Sequence, residues 1–299
     1  MSPLRVSVSR TSAAQRLLPQ LLSFLDQHRF GQVEVDADEM PVGELEVGRL
    51  MLLPVSSLLS LEHDSLVSAV PRRSPPQDVL VYAAEHGDRL ARRFAEEPSR
   101  YDPSDLFADV PPGARLALVG KGEAALACWL RPDVLCEAVG DEVQSAFARL
   151  RSGSLDVLIA AVSELDGELL DASPHRLLRD PWITAPGQGG WMVVCSTADE
   201  ELKPLLLALE HRNSRLEIEA EMQLQVLFSD DAGKVLRARA QREGDRLLLT
   251  AALLAADAEW AVRAHRRGEA TRVGAARLAR GLARDLRDQL QRRGVNATA

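Results

Sequence analysis

The feature that most constrains this chain is a change of grammar near residue 233. Before it, strand-like runs alternate with helical ones. Arg5 to Val8 reads as a short strand, and Thr11 to His28 follows with Leu17, Leu18, Leu21, Leu22 and Leu25 at helical spacing. Further strand patterns lie at Gln32–Val35, Leu50–Val55, Leu66–Val70, Val79–Tyr82, Arg115–Val119, Val134–Ala138 and Asp156–Ala161. Alternation of this kind predicts sheets flanked by helices. From Lys234 the pattern becomes runs broken by turn residues: Lys234–Gln241, Arg246–Leu254 and Glu259–His265, separated by Glu243-Gly244-Asp245 and Ala256-Asp257. These read as successive antiparallel strands. A helix follows Gly268, with Leu278, Leu282, Leu286 and Leu290 on one face and Arg277, Arg280, Arg284 and Arg287 on the other.

Length agrees with several folding units, since 299 residues exceed what one core usually serves. Glu85 to Glu97 reads as a charged helix. The breakers in Pro98-Ser-Arg-Tyr-Asp-Pro-Ser and Pro111-Pro112-Gly113 then predict a boundary near 100–113. The expected division is residues 1–110 with 183–212 in a first α/β domain, 111–182 in a second, and 213–299 in a small basic ββ(β)α domain. Charge is split as well: residues 233–299 carry 15 basic and 7 acidic groups within a chain of net charge −8. The arginine face carries no interleaved aromatics and is interrupted by Asp285 and Asp288, so it reads as a solvated surface rather than a nucleic-acid site.

Cys128, Cys136 and Cys195 form no CxxC pair, and an odd count suits no disulfide framework, so reduced thiols are expected. The six histidines lack metal-ligand spacing, and no metal is expected. The longest apolar run, Leu247–Ala256, is half of what a membrane helix needs, and the N-terminus has no apolar signal core, so no membrane partner and a cytoplasmic location are expected.

Three local features bear on chemistry. Gly120-Lys121-Gly122-Glu123-Ala124-Ala125 follows a strand and enters a helix, which suits phosphate held at a helix N-terminus. The other reading, favoured here, is a tight turn whose free N–H groups face solvent or another anion such as a carboxylate. Gly187-Gln188-Gly189-Gly190 before Trp191–Cys195 either lets backbone approach a ligand or is a bare loop. Ser56-Ser57 after a strand suit a helix cap better than a nucleophile.

Several segments, in order, resemble the porphobilinogen deaminase family, also called hydroxymethylbilane synthase. They are Arg5-Val-Ser-Val-Ser9-Arg10-Thr11-Ser12, Arg73-Ser-Pro-Pro76-Gln-Asp78-Val-Leu-Val81, Gly153-Ser-Leu-Asp156-Val-Leu-Ile-Ala-Ala161, Ala185-Pro186-Gly187-Gln188-Gly189 and Ala220-Glu221. The resemblance implies two domains like periplasmic binding proteins around a cleft, plus a small third domain. It also implies polymerisation of porphobilinogen on a dipyrromethane primer attached through a cysteine, with one catalytic aspartate and many carboxylate-pairing arginines.

This chain departs from that pattern where the chemistry sits. The aspartate position falls on Ser57, its lysine neighbour on Ser56, and the cysteine position on Ala232. The arginine-bearing segments fall on Gly122–Leu126 and Gly140–Ala146, where Glu123, Asp141 and Glu142 would repel carboxylates. The expectation is therefore a catalytically inactive relative without a dipyrromethane cofactor, its cleft open to a small anion or a protein partner. Arg10, Ser12, Ser56, Ser57, Lys121, Gly122, Gly187, Gln188 and Gly189 are the candidate cleft residues. The alternatives are an active synthase with unconventional residues, or a nucleotide- or phosphate-binding enzyme using Gly120–Ala125.

Overall fold

A computed structural model describes residues 4–8, 12–28, 32–36, 45–55, 65–83, 107, 110–139, 143–165, 170, 173–230 and 233–295. The chain opens with β1 (Leu4–Val8), α1 (Ser12–Gln27), β2 (Val33–Asp36), β3 (Arg49–Pro54) and β4 (Leu66–Ala69). These strands form a first sheet of order β2-β1-β3-β10-β4, in which β10 (Trp191–Ser196) returns much later and runs antiparallel to both neighbours. Leu21 and Leu25 of α1 pack with Val6, Leu50, Leu52 and Val193. Helical spacing of leucines thus becomes one buried stripe against the sheet.

A second sheet has the order β7-β6-β8-β5-β9, from β5 (Asp78–Tyr82), β6 (Arg115–Leu118), β7 (Leu135–Ala138), β8 (Val157–Ala161) and β9 (His175–Leu177). Helices α2 (Lys121–Leu130) and α3 (Val143–Arg151) connect its parallel strands. Here the expected boundary near 100–113 is corrected. Val79 and Val157 belong to the same sheet, because β5 pairs antiparallel with β8. All five residues of β5 are buried, and Phe107 and Val110, beside the supposed linker, sit in the core of that same sheet. The chain therefore crosses from the first sheet to the second between Ala69 and Asp78. The charged helix expected over 85–97 lies outside the described residues.

Helix α4 (Leu202–Leu209) packs Leu202, Leu205 and Leu206 into the core of the first sheet, and the C-terminal unit follows with α5 (Arg212–Val226), β11 (Lys234–Glu243), β12 (Arg246–Ala255), β13 (Ala261–Glu269) and α6 (Arg272–Arg292). Its antiparallel sheet β11-β12-β13 is the one expected from the turn spacing. Leu278, Leu282, Leu286 and Leu290 of α6 are buried on it with Leu247, Leu249 and Leu253. Of the arginine face, Arg277, Arg280 and Arg284 are exposed, whereas Arg287 stacks 4.9 Å from the Phe228 ring centroid and donates to the Leu227 carbonyl.

This unit is less separate than its sequence suggests. Ala252, Leu254 and Ala261 share a core with Leu80, Leu116 and Trp182 of the second sheet region. Ile218 and Met222 of α5 share another with Met51, Val55 and Met192 of the first. The third sheet thus packs against the second sheet region, and helix α5 against the first. Among the described residues no helix is long and apolar enough to cross a membrane, and no cluster of histidine, cysteine, aspartate and glutamate side chains suited to a metal is present.

Candidate functional site

The chain passes between the first two sheets at residues 70–77 and again at 178–190, and a cavity of about 290 Å³ opens beside the second crossing. Its walls are the β6–α2 turn (Val119, Gly120, Glu123), the end of β8 (Ala160, Ala161, Ser163, Glu164) and the 185–191 turn, including Gln188, Gly189 and Gly190. Both glycine turns picked out in the sequence therefore meet at one cavity. Other expected cleft residues point elsewhere. A β-carbon on Gly122 would meet Val235 and Arg237 of β11, so this glycine permits contact with the third sheet. Gly187, at φ +74°, faces Val55 and Met222. Lys121 is exposed and does not line the cavity. Arg10, Ser56, Ser57, Ala232, Asp141 and Glu142 lie outside the described residues, as does the side chain of Ser12.

Helix α2 begins after Gly120, which has extended backbone and no side-chain cap. A helix N-terminus left this way attracts an anion. The chain supplies one itself. The Glu123 carboxylate folds back against Gly120, and its Oε1 accepts from Arg237 Nη1 at 2.5 Å. The expectation that Glu123 stands as an uncompensated repelling charge is thus corrected.

Arg237 is almost wholly buried and does more than neutralise Glu123. Its Nε donates to the Ile183 carbonyl at 2.9 Å, and its Nη2 lies 3.4 Å from Asp78 Oδ2. Asp78 in turn accepts from Trp182 Nε1 at 2.6 Å and from Gln188 Nε2 at 2.7 Å. The Gln188 side-chain oxygen Oε1 closes its own turn by accepting from Ala185 N. Burial pushes the Asp78 carboxyl above the usual carboxylate range, opposed by the Arg237 charge and the Trp182 hydrogen bond. A buried carboxylate needs such partners to remain charged.

A second buried pair holds the other side of the turn. Arg73 donates from both terminal nitrogens to Glu221 at 3.0–3.1 Å and to the Ala240 carbonyl at 3.0 Å, and its Nε lies 3.2 Å from Glu217. Glu221 also accepts from Gly187 N and Ala240 N, each at 2.7 Å. Gly189, at φ +73°, places its α-carbon so that a β-carbon would lie 2.6 Å from the Ser74 carbonyl oxygen, while Ser74 N donates to the Gly189 carbonyl. The 187–190 turn is therefore gripped from both sides by charges of the third unit and the first crossing. Arg73, Asp78 and Glu221 stand in motifs visible in the sequence. Nothing local distinguishes Arg237 from Arg239 two residues on, and Trp182 carried no signal.

No protein-family model matches the chain. It is 33% identical over 266 residues to the porphobilinogen deaminase of Thermobifida fusca (strain YX), which covers 84% of this chain and 75% of that protein. The chain belongs to the porphobilinogen deaminase family. It is also 30% identical over 212 residues to the porphobilinogen deaminase of Roseiflexus sp. (strain RS-1), and 29% identical over 195 residues to that of Sorangium cellulosum (strain So ce56). These matches cover 71% and 60% of this chain, and 63% and 65% of the two relatives, so just under two thirds of each is spanned. Among solved structures, the ancestral cationic amino acid solute-binding protein AncCDT-1 is 14% identical with a TM-score of 0.43, covering 69% of this chain and 87% of that one. An ancestral arginine-binding protein bound to arginine is 11% identical with a TM-score of 0.40, covering 70% and 91%.

Proposed function

We propose that this member of the porphobilinogen deaminase family does not polymerise porphobilinogen, and that the cavity between its first two sheets binds a different ligand or a protein segment. One observation carries the reading. Among the described residues the cavity wall holds no arginine or lysine, and of its two carboxylates, Glu123 and Glu164, the first is already paired with Arg237. The reaction implied by the family resemblance handles a substrate rich in acetate and propionate groups, which guanidinium forks recognise. The helix N-terminus that would offer the next best anion site carries the Glu123 carboxylate in its first turn, beside Gly120. A carboxylate placed there weighs against a nucleotide or phosphate bound at Gly120–Ala125. An uncharged or cationic group with hydrogen-bond donors suits this wall better than the small anion suggested by the sequence alone.

A second line of support is chemical. A thioether to a dipyrromethane primer needs a thiol in the C-terminal unit, and no cysteine follows Cys195. Two measurements on the purified full chain test the proposal. Intact-protein mass spectrometry is expected to give the bare polypeptide mass, and porphobilinogen consumption is expected to match a protein-free blank. A covalent adduct of dipyrromethane mass, or turnover above the blank, overturns it.

A further inference from the structure

A second cavity shares Gly189 and Trp191 with the first and lies between α1 and the first sheet. Its volume is about 220 Å³. Leu21 and Phe24 of α1 form one wall, Leu52, Trp191 and Val193 of the sheet form the floor, and Leu209 at the end of α4 closes it. Apolar concavities with a few placed polar groups are the usual form of a small-molecule site. This one falls below the roughly 300–1,000 Å³ of drug-sized sites, so a single ring or a short branched chain fits it.

The polar group is Arg72. It lines the cavity, is exposed, and makes no hydrogen bond or ion pair among the described residues. Its neighbour Arg73 is fully engaged by Glu217 and Glu221. Two consecutive arginines thus differ sharply: one is paired within the fold, and the other has no partner among the described residues and lies beside an apolar hollow. A guanidinium there offers bidentate pairing to a carboxylate whose apolar body is out of water. Gln20, also on the lining, supplies a further polar side chain.

We propose that this cavity is a binding site for a fragment-sized monocarboxylate with an apolar body, held by Arg72. The site is distinct from the cleft and does not depend on the reading given above for the cleft. Because Gly189 and Trp191 line both cavities, occupation of one is in direct contact with the wall of the other.

Titration calorimetry of the full chain with phenylacetate and its neutral isostere phenylacetamide tests the proposal. Phenylacetate is expected to bind saturably and at least about tenfold more tightly than the amide, a factor equal to about 1.4 kcal/mol. Arg72→Gln, an exposed substitution, is expected to abolish that preference. Phe24→Ala, on the half-buried helix wall, is expected to weaken acid and amide alike. Absence of saturable phenylacetate binding, equal binding of acid and amide to the unmodified chain, an unchanged preference in Arg72→Gln, or unchanged affinity in Phe24→Ala overturns it.

Discussion

Replacing Arg237 by methionine keeps most of the buried stem and deletes the charge on which three segments converge. In the native fold Arg237 faces Asp78 and Glu123, with side-chain exposures of 1% and 15%, and holds the Ile183 carbonyl. Removing one partner of a buried pair leaves the other uncompensated and typically costs about 3–5 kcal/mol. With a urea dependence near 3 kcal/mol per molar, at the upper end for small proteins, the unfolding midpoint falls by roughly 1–1.7 M at pH 8. The loss depends on pH. Burial already raises the Asp78 carboxyl above its ordinary 3.8, and Arg237 is the largest influence opposing that rise. A raised carboxyl binds a proton more readily in the folded state than in the unfolded one. Its favourable contribution is therefore complete below 3.8 and is lost as pH rises through the folded value. Without Arg237 the folded value climbs further, so the deficit of the variant shrinks as pH is lowered from 8 towards that value. The triple variant Asp78→Asn, Glu123→Gln, Arg237→Met removes all three charges and recovers at least half of the loss, because a neutral replacement of a whole buried ionic group is often tolerated. Urea unfolding followed by tryptophan fluorescence and circular dichroism over a series of pH values from 8 downward measures each quantity. A deficit below about 1 kcal/mol, a deficit independent of pH, or no recovery in the triple variant refutes the reasoning.

Two further outcomes follow from the same coordinates. Gly189→Ala puts a side chain at φ +73° and 2.6 Å from the Ser74 carbonyl, so its unfolding midpoint drops by the equivalent of at least about 1–3 kcal/mol, whereas Gly153→Ala, also at positive φ but with open space around it, loses less. Paired denaturation curves decide between them. The Cys195 thiol is pushed up to about 11, mainly by burial and secondarily by Asp199, leaving only about one thiolate in a thousand at pH 8. Iodoacetamide at that pH is expected to spare Cys195 in the folded chain and label it in guanidinium, as peptide mass spectrometry will read; rapid labelling of the native protein contradicts the buried placement.

Much of the local architecture was legible because it rests on near neighbours. The leucines of 278–290 form one helical face in any setting that offers an apolar surface, and the turns at 243–245 and 256–258 set two hairpins without outside help. The 187–190 turn was legible as a glycine turn, since positive φ at 187 and 189 is a backbone conformation that glycine permits. Sheet membership was not legible. Asp78–Tyr82 is buried on both faces, and an apolar run of five residues fits the interior of either sheet equally well. The proline-rich stretch near 98–113 resembled a linker because breakers mark irregular backbone, whether it joins domains or loops within one.

Periodicity and turn chemistry act over a few residues, so the order of strands and helices and the three-part plan were already present in the chain. The partners that give the cleft its character are far apart in sequence. Trp182 reaches Asp78 across 104 positions, Arg73 reaches Glu221 across 148, and Arg237 reaches Asp78 across 159. No local rule separates a guanidinium destined for burial from its exposed neighbour, as Arg72 beside Arg73 and Arg239 beside Arg237 illustrate. Which arginine loses its water depends on which carboxylates the assembled sheets bring within about 3 Å of it, and that is decided only when the three units pack together.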